Sequence, residues 1–72
     1  MYYIEIVQEA TKIMLVKFNS KLFVCPRIGE TITVENKEGL SYSGKVVDVE
    51  HKHVERFAEN TYITITISIE RD

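Results

Sequence analysis

Residues 61–70 read Thr61-Tyr62-Ile63-Thr64-Ile65-Thr66-Ile67-Ser68-Ile69-Glu70. Ile63, Ile65, Ile67 and Ile69 take every second position, and Tyr62, Thr64, Thr66, Ser68 and Glu70 alternate with them. Successive side chains of a strand point to opposite faces, so this spacing predicts a strand with one isoleucine face and one hydroxyl-rich face. β-Branched residues fit a pleated surface on both sides. The isoleucine face needs cover, and the rest of the chain has to supply it.

Working outward, the stretch just before it breaks the period of two. Val54, Phe57 and Ala58 stand at i, i+3 and i+4. That spacing predicts a short helical turn over 52–59, with Asn60 as a left-handed stop. A plain loop is the competing expectation, because so short a segment sustains no helix alone. Tyr42–His51 predicts a strand whose phase breaks: Tyr42, Gly44 and Val46 share one parity, Val47 and Val49 the other. A β-bulge near Val46-Val47 lets all of them face inward. Gly44 permits the bend such a strand needs.

Glu30–Glu35 predicts a strand with Ile32 and Val34 inward, followed by the polar turn Asn36-Lys37-Glu38-Gly39. Lys21–Cys25 is expected as extended chain, Leu22 and Val24 alternating with Phe23 and Cys25. Pro26 lacks an N–H and ends that segment. At the start, Met1–Gln8 and Lys12–Phe18 predict a hairpin. A three-residue loop, Glu9–Thr11, sets Ile6 opposite Met14, Ile4 opposite Val16, Val7 opposite Ile13 and Glu5 opposite Leu15. In that register Tyr3, Val7, Ile13 and Leu15 share the outer face.

Five or six short strands at close spacing argue for an all-β fold, a small barrel of about five antiparallel strands. At 72 residues the chain predicts one domain over 1–72, burying only about 60% of its unfolded surface. The N-terminus shows no signal-peptide pattern and no apolar run long enough to span a membrane. A single cysteine, Cys25, fits a reducing compartment, and a cytoplasmic location is the default expectation.

From Ile28 onward, Gly29-Glu30-Thr31-Ile32-Thr33-Val34, a polar loop, and Gly44-Lys45-Val46-Val47-Asp48-Val49 precede the final strand. This pattern over 28–70 resembles the SH3-like small barrels, and the KOW-type modules among them. The resemblance implies an SH3-like barrel, with an OB-like barrel as the alternative. It also implies an RNA- or DNA-binding role of KOW or OB type. The loop Asn36–Ser43 is less basic and less glycine-rich than in KOW modules. The Pro26–Glu30 turn resembles those of small phage- or mobile-element-type barrel proteins.

Net charge is −2, and the nine basic residues are spread along the chain without a basic run. That weighs against a nucleic-acid footprint, which is usually a stripe. The residues that serve a nucleic-acid reading are Lys21, Arg27, Tyr42, Lys45, Arg56 and Tyr62, aromatics beside cations. The face of Tyr3, Val7, Ile13 and Leu15 instead predicts a protein interface, with a partner protein or a homodimer. On this reading Leu15→Asp abolishes binding and leaves the fold intact.

His51 and His53 share a strand face, too few ligands for a structural zinc, and no metal site is expected. Ser41, Ser43, Asp48 and His51 lack a nucleophile-elbow sequence, and Cys25 lacks a neighbour that lowers a thiol pKa. No catalytic residue, cofactor or small-molecule substrate is expected. The sequence reads as a non-enzymatic binding module working through protein–protein contact, an inhibitor or adaptor, with the nucleic-acid-binding barrel as the alternative.

Overall fold

The computed structural model describes residues 1–56 and 60–71, without the side chains of 56, 60 and 61. Five strands follow in order: β1 Tyr2–Gln8, β2 Met14–Ser20, β3 Thr31–Glu35, β4 Ser41–Arg56 and β5 Asn60–Glu70. They form one sheet of order β2-β1-β5-β4-β3, curled into a nearly closed all-β barrel. The unpaired edges of β2 and β3 face each other across the remaining seam.

The isoleucine strand holds the centre. β5 pairs with β4 antiparallel along one edge and with β1 along the other. Ile65, Ile67 and Ile69 are buried with Ile4 and Ile6 of β1, Val16 of β2 and Val46 of β4. The hydroxyl-rich face lies outside, although Ser68 is itself buried. The β1–β5 pair is parallel, where all-antiparallel pairing was expected. Parallel neighbours cannot be joined by a tight turn. Here β2, β3 and β4 together form the connection.

The bulge in β4 falls at Val47, where the register with β5 shifts between Val46 and Asp48. It keeps Val46 buried and brings Val49 onto the core. Gly44 has a different role from the bend it was assigned. A Cβ there would lie 2.7 Å from the Glu70 carbonyl oxygen and 3.3 Å from the Ile69 Cβ. Only glycine lets β4 pass this close to the end of β5.

The first hairpin departs from its expected register. Its loop has four residues, with Lys12 in the left-handed region at φ 60°. That shifts the pairing by one, to Val7 opposite Met14. A bulge at Leu15 shifts it by one more, so Ile6 faces Val16 and Ile4 faces Phe18. Two single shifts restore the parity, which is why Val16 still reaches the core. The bulge turns Leu15 inward beside Val16, and it packs against the core.

The helical turn expected over 52–59 is corrected for its first part. Lys52–Arg56 continues β4 as strand, paired with β5 as far as Arg56 opposite Asn60. The cross-strand partners of Ile63 and Ile65 are His53 and His51, so the ladder extends the pleat that the spacing of Val54, Phe57 and Ala58 obscured. Phe57, Ala58 and Glu59 lie outside the described residues, and Asn60 opens β5 rather than stopping a helix. The β4–β5 ladder therefore runs beyond the barrel as a two-stranded ribbon, because β1 begins only at the level of Ile63.

Lys21–Cys25, expected as extended chain, bends at Lys21-Leu22 and joins no strand ladder; Phe23 and Cys25 pack on the core and Leu22 and Val24 are exposed.

Candidate functional site: the seam and its extended segment

The seam between β2 and β3 leaves part of the core open to solvent. A cleft of about 240 Å³ opens there. Ile6 and Ile67 reach it from the core, with Phe18, Phe23, Ile32 and Val34 around them. The rings of Phe18 and Phe23 meet edge to face at 6.0 Å and bridge β2 to the segment that follows it. Such an arrangement suits quadrupolar rings.

Lys21–Ile28 runs along this seam. Its ends are fixed. Ser20 pairs with Tyr2 at one end of the barrel, and its hydroxyl both donates to the Leu22 carbonyl and accepts from the Leu22 N–H. At the other end Gly29 donates to the Val46 carbonyl, and Val46 donates to Glu30. The chain between them bends at Lys21-Leu22 and turns at Ile28-Gly29. Phe23 and Cys25 pack on the core, and Val24 and Pro26 stand at the mouth of the cleft.

The outward residues are uncovered. Leu22 is 86% exposed, Val24 93% and Ile28 65%. The backbone N–H and C=O groups of Phe23, Val24 and Cys25 bond to no described residue. Three consecutive residues of unpaired backbone are thus flanked by bare aliphatic side chains. Cys25 supports this stretch from below. Its Sγ donates to the Pro26 carbonyl at 3.4 Å, and burial pushes its thiol pKa up, so it stays protonated near neutral pH.

The four residues expected to share an outer face are not gathered. Tyr3 faces out at one end of the hairpin, opposite Asn19, with its ring edge-on to Tyr62 at 5.1 Å. Ile13 is exposed at the other end, where its carbonyl accepts from Gln8. Val7 is half-buried, and Leu15 belongs to the core side. The expected face depended on the three-residue loop, and the Leu15 bulge dissolves it.

The residues of the nucleic-acid reading are also spread. Tyr42 packs on the core near the start of β4 with Arg71 over its ring at 4.9 Å. Tyr62 lies on the outer face of the ribbon, opposite Val54. The two tyrosines are thus at opposite ends of the β4–β5 ladder. Lys45 is exposed beside Thr31, and Lys21 and Arg27 are exposed at either end of the seam segment. Arg56 ends β4, far along the ribbon from Lys45.

His51 and His53 are exposed opposite Ile65 and Ile63. Among the described residues no three His, Cys, Asp or Glu side chains gather as metal ligands. No helix among the described residues is long and apolar enough to cross a membrane. Leu22 and Val24, which the sequence placed in extended chain, were legible only as alternating residues; their exposure depends on which neighbour the segment lacks. No known family, curated protein or solved structure matches the chain.

Proposed function

We propose that the protein is a non-enzymatic binding module that captures an extended segment of another protein along Phe23–Cys25. It works by strand addition, with backbone hydrogen bonds to the free peptide groups and aliphatic contacts to Leu22, Val24 and Ile28. One observation carries this reading. Leu22 and Val24 are almost fully exposed on a segment whose Phe23–Cys25 backbone is unpaired. Isolated exposed aliphatics are ordinary, but a row of them beside an open edge and an apolar cleft marks an interface. Such a module serves as an adaptor or an inhibitor, covering a strand on its target.

A displayed library of short random peptides, panned against the purified protein, tests this. Enriched peptides are expected to alternate aliphatic with polar residues and to bind Val24→Asp at least tenfold more weakly. Val24 is solvent-exposed, so that change leaves the fold in place. No enrichment, or enrichment indifferent to Val24→Asp, overturns the reading. Single-stranded oligonucleotides that shift Tyr42, Lys45 and Tyr62 amides at low salt, and lose the effect at higher salt, would move the assignment to nucleic acid.

A further inference from the structure

We infer that the captured segment carries one bulky apolar side chain, which enters the cleft at the seam, flanked by acidic residues that meet Lys21 and Arg27. This rests on the strand-capture reading above and names the chemistry of the partner.

The cleft sets the anchor. Its floor is the buried pair Ile6 and Ile67, and its walls are aliphatic and aromatic. Among the described residues that line it, Thr33 has the one polar side chain, and its hydroxyl is bonded to that of Ser43. A polar group or a nucleobase seated there would give up its hydrogen bonds to water and find no side chain to replace them. The volume, about 240 Å³, is below that of pockets holding drug-sized molecules. An apolar cavity of about 150 Å³ already accepts benzene, so one phenylalanine, leucine or isoleucine side chain fits. A side chain buried in such a pocket supplies most of the energy of a small interface.

Charge sets the flanks. Residues 10–29 hold Lys12, Lys17, Lys21 and Arg27 and none of the eleven acidic residues of the chain. In a chain of net charge −2, β2 and the segment that follows it are therefore a local concentration of positive charge. Lys12 is turned to Glu9 in the hairpin loop. Lys21 and Arg27 are exposed and have no ion-pair partner among the described residues. They stand before and after Phe23, Val24 and Pro26 of the cleft. Glu30, the nearest acid along the chain, has a carboxylate oxygen taken up by the Arg27 N–H. A ligand laid along Phe23–Cys25 thus meets a cation on either side of its anchor, whichever way it runs. Acidic flanks speed its encounter and basic flanks are repelled, so charge selects the partner.

Three peptide libraries, random at the centre and flanked by acidic, basic or neutral residues, test this when panned in parallel against the full chain. The acidic library should yield at least tenfold more binders than the basic one, and its binders should share one aromatic or large aliphatic residue. Changing that residue to alanine in a labelled binder should weaken binding at least tenfold by fluorescence anisotropy. Binding should also shift the methyl resonances of Ile6 and Ile67. Lys21→Glu combined with Arg27→Glu, both at exposed positions, should turn the preference toward basic flanks. Binders that need Val24 but show no preference among flanks, or share no apolar anchor, leave strand capture standing and overturn this inference. An acidic preference that survives the double charge reversal overturns it too, as do binders that leave Ile6 and Ile67 unmoved. Single-stranded oligonucleotides that outcompete the acidic peptides, and lose affinity in the double variant, would assign the two cations to nucleic acid instead. No binder from any library overturns strand capture and this inference together.

Discussion

Two stretches of this chain alternate apolar residues with a period of two, Lys21–Cys25 and Thr61–Glu70, and only the second becomes a strand in a ladder. Both place one parity against the same core. They differ in neighbours. β5 has β1 on one side and β4 on the other, so its peptide groups are bonded along both edges. The seam segment is stretched between Ser20 and Gly29 over a gap in the sheet and has neither neighbour. Periodicity reports which face is wet. It does not report whether the backbone is paired, and here the unpaired backbone is the basis of the proposed binding site.

The sharpest way to break the comparison is to remove matched apolar groups from each stretch. Ile67 is wholly buried at the centre of the barrel. Ile67→Ala should cost about 2–5 kcal/mol by urea denaturation, a large share of the stability of so small a domain. Leu22→Ala should lie within about 0.5 kcal/mol of wild type. Equal losses would mean that the seam segment is core and that its exposed residues are no interface.

Gly44→Ala asks how closely the paired region is fitted. The added methyl group meets the Glu70 backbone, not a side chain that could swing away. β5 or β4 has to move, and a loss of about 1–3 kcal/mol is expected. The same change at Gly39, with nothing within 4 Å, meets no such wall; its cost comes from a φ of 84° instead. A neutral Gly44→Ala would show that the strands are less tightly apposed there than Glu70 and Ile69 indicate.

Much of the paired region could be read from the residues. The Ile63–Ile69 alternation, the phase break at Val46-Val47 and the inward Ile32 and Val34 each follow from which side chains need burial. The hairpin register could not be read so. It depends on Lys12 adopting a left-handed conformation, which glycine or asparagine would have announced and lysine does not. It depends again on a bulge at Leu15, which no local signal marks. The ribbon end of β4 was obscured because Val54, Phe57 and Ala58 mimic helical spacing while the partners of Lys52–Arg56 lie across the hairpin. The candidate site was half legible. The alternation of Leu22 and Val24 is in the sequence, but the missing neighbour is a property of the sheet order.

Leu15 carries that lesson into a test. As an outer-face residue it would tolerate aspartate, and as a bulge residue packed beside Val16 it should not. Leu15→Asp is expected to lower the denaturation midpoint, with a cost of about 1–3 kcal/mol for a partly buried polar group without a partner. An unchanged midpoint would restore the three-residue loop and the outer face of Tyr3, Val7, Ile13 and Leu15.

The smallest expected effect lies in the loop that sets this register. Lys12 Nζ donates to the Glu9 carboxylate at 2.8 Å, and that bond holds the Glu9 pKa below the ordinary glutamate value. The Ser68 hydroxyl adds a weaker pull without reaching hydrogen-bond geometry, and Glu9 Oε2 is left without a partner. A carboxylate with a depressed folded-state pKa stabilises the fold above its unfolded value and ceases to do so as pH falls through the folded one. Glu9→Gln should therefore be slightly less stable than wild type at neutral pH, and the difference should close in acid. Raising the salt concentration should shrink it too, because the pair is exposed. A difference that persists in acid would assign the role of Glu9 to the shape of the turn and not to its charge. The left-handed Lys12 would then be held by the loop backbone, where Lys12 N–H donates to the Gln8 carbonyl at 2.8 Å, rather than by its ion pair.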